Sequence, residues 1–188
     1  MKPWKTGQFL MAAALLMGAG LASAADKNSA NGSETDAAIA NRIRHEIIMY
    51  ADYSIWDDVQ IAVTNGSAHL TGAVTQPIKK EEMDRLARQV AGVSQLQDDL
   101  RVLPLSDMDD RLRLRIARAI YGDPALTQYA NQPLKPIHIL VENGHVTLTG
   151  IVDREFDKQI AGVRATSAMT FGKVINNLEV VPPQARKS

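Results

Sequence analysis

The sequence contains no cysteine, few aromatic residues and no surplus of charge of either sign. Without cysteine, the chain can form no disulfide and has no thiol for lipid attachment at a signal cleavage site. Basic and acidic side chains are equal in number, at 21 each over 188 residues. This balance gives no global attraction to nucleic acid or to anionic lipid, so any electrostatic binding must come from a local patch.

Long apolar runs are also scarce, and the longest lies near the start of the chain. Lys2 and Lys5 precede an apolar stretch from Phe9 to Leu21, which is followed by the small residues Ala22-Ser23-Ala24. This pattern predicts a bacterial secretory signal over residues 1–24 and a periplasmic product. The alternative is a retained membrane anchor, but the stretch is shorter than the roughly 20 residues that span a bilayer. We therefore expect that the protein is not an integral membrane protein.

One pattern occurs twice in the remaining chain. Asn65-Gly66 and Asn143-Gly144 each follow an alternating apolar run and precede another that ends in Leu-Thr-Gly, at Gly72 and at Gly150. Asn-Gly favours a two-residue type I′ turn because both central residues need a positive φ. The matched flanks therefore predict two β-hairpins and a duplicated module.

Helical spacing surrounds both hairpins. Before them, aliphatic residues recur every fourth position at Ile39, Ile43 and Ile47 and at Leu112, Ile116 and Ile120. After them, second helices are predicted from Met83, Leu86, Ala87 and Val90 and from Phe156, Ile160, Val163 and Ser167. Alternation over residues 96–102 and 174–180 predicts a last strand in each copy. The order is therefore α-β-β-α-β, twice.

The segments around the modules differ in composition. The modules span residues 36–104 and 107–183, between a polar leader over residues 25–35, expected to be flexible, and a tail over residues 184–188.

The second copy has five extra residues between helix and strand, within residues 123–136. Three prolines there predict an irregular loop. Modules of this size have marginal cores, so packing of one on the other is expected.

These features resemble the BON (bacterial OsmY and nodulation) domain family. The shared pattern is a helix with spaced aliphatics, a strand, Asn-Gly, a strand ending in Leu-x-Gly, a second helix, Gly-Val and a last strand. The first copy has Gly92-Val93, whereas the second has Thr170-Phe171 in register and Gly172 two residues later, so the turn there must differ.

The resemblance implies an α+β fold of two tandem α/β sandwiches. Each would have a three-stranded mixed sheet covered on one face by two helices. It also implies binding modules of the cell envelope, without a known catalytic site, linked to osmotic or envelope stress. Family members are proposed to contact phospholipid surfaces, and some are thought to assist the folding of exported proteins.

The residues themselves offer no evident chemistry. The histidines His45, His69, His138 and His145 show no metal-ligand spacing. No serine has a nucleophile-elbow context, and no acid and base are poised together. We therefore predict no catalytic residue, no metal site and no cofactor.

The least ordinary surface is predicted on the first helix of the second module. Arg111, Arg115 and Arg118 cluster opposite its core face, with Leu114 and Tyr121 next to them. We predict that these five residues contact an anionic phospholipid surface or another partner, but not nucleic acid. Each arginine would contribute ~1 kcal/mol near a charged surface.

Other interpretations of the sequence remain open. The basic face can be solvated and paired to Asp107, Asp110 or Asp123, or it can be buried against the first module. Short basic helices are common, so a basic face alone does not establish a contact surface. A second functional hypothesis is a holdase-like protein that binds unfolded envelope proteins. The loop residues Tyr53 to Trp56 either reach a partner or cap the core of the first module, and capping is the expected role.

Overall fold

The computed structural model describes residues 26–182, with side chains from residue 35 onward. The predicted signal over residues 1–24 and the predicted tail over residues 184–188 lie outside the described residues. Within residues 26–182, no helix combines the length and the apolar character needed to cross a membrane.

The first module has the predicted order of elements. They are α1 (Asp26–Met49), β1 (Asp58–Thr64), β2 (Ser67–Val74), α2 (Pro77–Gln89) and β3 (Gln95–Val102). β1 and β2 are antiparallel neighbours, and β3 lies parallel to β2 on its other side. The predicted three-stranded mixed sheet is therefore confirmed in this module.

The second module repeats this order with two additions. Its elements are α3 (Asp107–Tyr121), a 3-10 helix (Pro124–Leu126), α4 (Thr127–Ala130), β4 (Ile137–Glu142), β5 (His145–Val152), α5 (Glu155–Ser167), β6 (Val174–Asn176) and β7 (Glu179–Val180). β4 is antiparallel to β5, and both β6 and β7 are parallel to it.

The last strand of the second module is split, where a single strand was predicted. β6 and β7 pair with β5 in the same register, so the split interrupts one ladder. Next to the gap, Asn176 Nδ2 donates to Lys158 O in α5 at 2.7 Å. Asp98, the equivalent residue of the first module, has no side-chain N–H to make this contact. We attribute the interruption to this tie to the helix.

The start of α1 also differs from the prediction. α1 begins at Asp26, so the backbone of residues 26–35 is helical where a flexible leader was expected. The segment contains no proline. Once a docked helix has formed, each further residue adds one backbone hydrogen bond at little entropic cost, which favours such an extension.

The predicted core stripes of the two first helices are confirmed. Ile39, Ile43 and Ile47 of α1 and Leu112, Ile116 and Ile120 of α3 are each at most 4% exposed. Each stripe packs in a separate apolar cluster with residues of its own sheet and second helix. Each module therefore has its own core.

The predicted stripe of α5 is only partly correct, because Ile160 packs against the core but the rest of the stripe is exposed. Phe156 is 57% exposed and Val163 is 60% exposed, whereas Asp157, Ala161 and Ala165 are fully buried. These buried residues also follow a four-residue spacing, but a polar residue and two small ones give a weak apolar signal. The large apolar side chains of Phe156 and Val163 therefore indicated an exposed face of the helix.

The insertion in the second module is ordered, where an irregular loop was predicted. It forms the 3-10 helix and α4, and it places Leu126 and Tyr129 in the core with no exposed surface. The Tyr129 hydroxyl donates to Asp157 Oδ2 at 2.6 Å and accepts from Asp153 N at 2.8 Å. Leu126 and Tyr129 lie in the same buried cluster as Ala161 and Ala165 of α5.

The loop before β1 joins the two modules. Tyr53 packs against the core of the first module, as was expected, whereas Ile55 and Trp56 pack against the core of the second. Ile139 N donates to Ile55 O at 2.7 Å, and His138 Nδ1 bonds to Asp57 O at 2.6 Å. The expected packing of the modules on each other therefore takes place through residues 55–57, which we call the junction segment.

Candidate functional site

Helix α3 is held at its start by polar side chains. Ser106 caps the helix by accepting a hydrogen bond from Asp109 N at 3.2 Å. Asp109 is 2% exposed and accepts from Asn143 N at 2.9 Å and from Gly144 N at 2.8 Å. The carboxylate thereby fixes the first turn of α3 against the hairpin turn.

The first module contains the same arrangement. Asp36 accepts from Asn65 N at 2.7 Å and from Gly66 N at 2.9 Å. The two asparagines have φ values of 50° and 52°, as the type I′ prediction requires. In both modules, an aspartate of the first helix therefore binds the backbone of the Asn-Gly turn.

Arg113 anchors the other side of α3. It is 6% exposed, pairs with Asp110 and donates from Nη2 to Val141 O at 2.8 Å. This contact ties the helix to strand β4. Helical spacing places Arg113 away from Arg111, Arg115 and Arg118, but it does not reveal that Val141 O accepts from Arg113.

The predicted contact residues divide into two groups. Arg111, Leu114, Arg115 and Arg118 are exposed, and Leu114 keeps 49% of its surface. Tyr121 instead packs against the core, and its hydroxyl donates to Ile137 O at 2.5 Å. Burial raises the pKa of Tyr121. Tyr121 therefore supports the helix from within and does not belong to the exposed surface.

The exposed arginines have no carboxylate partner. Asp110 binds Arg113, and Asp123 binds Arg164, so these two aspartates, which the alternative interpretation required, are engaged elsewhere. Among the described residues, no carboxylate oxygen lies within 4.0 Å of the guanidinium groups of Arg111, Arg115 or Arg118.

An apolar patch adjoins these arginines. Met108 and Phe171 are 63% and 60% exposed, and they line a groove of about 670 Å³ together with Arg111 and Arg115. Phe171 lies beside Gly144 in this groove. The sequence marked Phe171 only as a departure from the first copy, because its proximity to α3 depends on the fold.

We call the combined surface the α3 face. It consists of Met108, Arg111, Leu114, Arg115 and Arg118, which fall within an arc of about 120° at 100° per residue. Asp107 lies within the same arc at the helix start, where the dipole favours a negative charge. The α3 face is therefore basic along its length and apolar at both edges.

Two buried carboxylates, those of Asp57 and Asp157, accept hydrogen bonds on both oxygens and therefore have a structural role. Asp57 accepts from both the backbone and the hydroxyl of Thr75 and from Lys79 Nζ at 2.7 Å, besides two bonds from Ser54. Asp157 accepts from Tyr129 and Arg154, among other donors. Neither carboxylate has a free oxygen directed at a cavity.

The histidines are dispersed. His69 Nε2 lies 2.7 Å from Asp99 Oδ2 on the surface, and this hydrogen bond lowers the pKa of Asp99. His138 is engaged with the junction segment. Across the described part of the chain, no three histidine, aspartate or glutamate side chains are grouped to hold a metal ion.

The fold is that of a protein with two tandem α+β domains, the second of which carries the α3 face. The BON domain model matches residues 35–104 and again residues 109–182. The chain belongs to the BON domain family, so the family resemblance is confirmed in both copies. Proteins of this family are generally non-enzymatic binding proteins of the cell envelope, and BON domains are associated with osmotic stress and phospholipid binding.

Solved structures add little to this assignment. The chain is similar to the C-terminal domain of CdsD, a structural protein of the type III secretion system of Chlamydia trachomatis, at 13% identity. The match covers 78% of this chain and 67% of that chain, with a TM-score of 0.31. A second CdsD structure covers 81% of this chain at the same identity and TM-score. Such a score supports no conclusion on function. A search of curated proteins gave no match.

Proposed function

We propose that this protein is a non-enzymatic periplasmic protein that contacts anionic phospholipid surfaces of the envelope under osmotic stress, through the α3 face. The observation that carries the proposal is the set of three exposed, unpaired arginines beside exposed apolar side chains. A carboxylate partly neutralises the charge of a paired arginine, as at Arg85, Arg88 and Arg113, but the three arginines of the α3 face have no such partner.

The arrangement suits a headgroup layer. Near an anionic surface, each arginine contributes about 1 kcal/mol, so three support weak and reversible association. Leu114 and Met108 extend from the same face, where they can enter the boundary between headgroups and acyl chains. In the first module, Arg85 and Arg88 of helix α2 are bound to Glu82 and Asp84, so their charges are partly neutralised.

Vesicle flotation tests this proposal. The purified protein would be mixed with vesicles that contain phosphatidylglycerol and with vesicles of phosphatidylcholine alone, over a range of salt concentrations. We expect binding to the anionic vesicles only, with progressive loss as salt screens the charges. Equal binding to both vesicle types, or binding that does not respond to salt, would contradict an electrostatic headgroup contact.

A holdase-like role is the second candidate, and a different surface favours it. Phe156 and Val163 leave more than half of their side chains exposed on one face of α5. Such a face suits unfolded apolar segments better than charged headgroups. If this role is correct, the protein suppresses the aggregation of an unfolded client, and Phe156→Glu with Val163→Glu abolishes the effect while Arg111→Gln does not.

Periplasmic localisation rests on the predicted signal over residues 1–24. We expect cleavage after Ala24 during export. Mass spectrometry of the protein from a periplasmic extract would show a chain that starts at Ala25. A chain that retains its first 24 residues in the membrane fraction would support the anchor alternative.

A further inference from the structure

The two modules enclose a second concave site, distant in sequence from the α3 face. Its volume is about 570 Å³, which is within the usual range for small-molecule sites of about 300–1,000 Å³. Most of the lining is apolar, and both modules contribute to it: Ile48, Val59 and Ile61 from the first, and Leu134, Pro136 and Ile151 from the second. The junction segment forms part of its wall through Ile55.

The charges that line this cleft are mainly positive. Arg44 and Lys135 line it, against the single carboxylate of Asp58. Arg44 donates to Asn41 Oδ1, and Lys135 Nζ lies 5.9 Å from the ring centroid of Tyr121. Neither has a carboxylate within 4.0 Å among the residues that the structure describes. Asp58 also has no cation within 4.0 Å among the described residues, so two positive groups and one negative group leave the lining with a net positive charge.

The insertion in the second module supplies one wall. While Leu126 and Tyr129 of the insertion are fully buried, Leu134 is 60% exposed and lines the cleft. Packing of the core therefore accounts for the first half of the insertion but not for an apolar side chain at Leu134. The cleft gives this side chain a role as a contact for an apolar ligand.

We propose that the cleft binds a single-chain anionic amphiphile, such as a medium- or long-chain carboxylate. The hydrocarbon chain lies against the apolar lining, and the anionic group lies beside Arg44 and Lys135. A neutral ligand would gain nothing from the two cations, and a cationic ligand would be repelled by them. This site is independent of the α3 face, since the two share no residue.

Calorimetric titration with decanoate, below its micelle concentration, tests the proposal, and 1-decanol serves as the uncharged ligand of equal chain length. We expect saturable binding of decanoate at one site and weaker binding of 1-decanol. Methyl NMR shifts should change at Ile48, Ile61 and Leu134 and remain unchanged at Met108, which lies on the α3 face.

Matched variants locate the site. Leu134→Glu places a negative charge in the lining and should weaken decanoate binding about tenfold or more. Leu105→Glu is the control, because Leu105 is 92% exposed and lies outside the cleft, and it should bind like the unmodified protein. Arg44→Gln should weaken decanoate binding several-fold but leave 1-decanol binding unchanged.

Several results would overturn the proposal. The first is that decanoate shows no saturable binding. The second is that Leu134→Glu and Leu105→Glu weaken decanoate binding equally. The third is that the NMR shifts change only in the groove beside Phe171. Binding of an extended apolar peptide in the cleft, without binding of decanoate, would assign the site to a different class of ligand. Vesicle binding by the α3 face is measured separately, so failure of one proposal leaves the other standing.

Discussion

At the scale of single residues, Asp36 and Asp109 connect the first helix of each module to its hairpin turn. The sequence predicts the Asn-Gly turns, because their φ requirement is local. It does not predict the two carboxylate contacts, because the partner amides lie 29 to 35 residues away along the chain. Asp109 lies near a helix start, where the dipole already gives a sufficient local explanation, and this concealed its second role.

Replacement of these aspartates should have unequal effects. Asp109→Ala leaves two backbone amides without a partner in a buried site, and we expect the free energy of unfolding to fall by about 3 kcal/mol. Asp36→Ala should cost about 1 kcal/mol, because Asp36 is only half-buried and water can replace its carboxylate. Urea denaturation measures both values. A cost for Asp36→Ala that equals or exceeds that of Asp109→Ala would contradict this ranking.

Asp123 makes stability depend on acid pH. The hydrogen bond that Ala125 N donates lowers the pKa of the Asp123 carboxyl most, and the contact with Arg164 lowers it further. A carboxyl with a lowered folded-state pKa stabilises the protein at neutral pH and loses this contribution as pH falls through that pKa. The unmodified protein should therefore be more stable than Asp123→Asn at pH 7, with a gap that closes below about pH 4. Urea denaturation at several pH values checks this, and a gap that persists at pH 2 would contradict it.

At the scale of elements, the sequence predicts the helices and strands well where the apolar side chains are large. The isoleucines of α1 identify its buried face. In α5 the fully buried residues are Asp157 and two alanines, so the large apolar residues at Phe156 and Val163 indicated a face that is exposed. The insertion was predicted as a loop from its prolines. Two of its residues, Leu126 and Tyr129, share the core with the alanines of α5, and such packing between separate elements is not visible in a local pattern.

The insertion allows a matched test of this account. Leu126→Ala removes a fully buried side chain and should lower the free energy of unfolding by about 2–5 kcal/mol. Leu134→Ala, eight residues later in the same insertion, should change it by less than about 0.5 kcal/mol, because Leu134 is 60% exposed. Thermal and urea unfolding of both variants provide the measurement. Similar losses for the two would show that the insertion does not divide into a core part and a surface part.

At the scale of the whole molecule, the junction segment packs the two modules against each other. Besides Ile55 and Trp56, Leu140 packs with Ala73 and Leu103 across the boundary. The surface pair Arg101–Glu142 adds little, because exposed ion pairs contribute only about 0–1 kcal/mol. The sequence indicated that the modules pack together but not through which residues, since both surfaces exist only after each module has folded.

Removal of Trp56 should loosen this contact. We expect Trp56→Ala to speed hydrogen exchange at the amide of Ile139, which donates to the junction segment, although the substitution lies in the other module. Phe156→Ala is the control, because Phe156 is an exposed aromatic residue away from the junction. If exchange at Ile139 is unaffected by Trp56→Ala, the modules are not coupled through this segment.

The central claim is that the second module carries the lipid contact on α3, and one comparison of charge-matched variants tests it directly. Arg111→Gln with Arg115→Gln removes two unpaired charges, and Arg85→Gln with Arg88→Gln removes two paired charges from the first module. Both variants have the same net charge. We predict that the first loses most of its flotation with phosphatidylglycerol vesicles, while the second retains nearly all of it. Equal loss in the two variants would show that overall charge, and not the α3 face, determines binding.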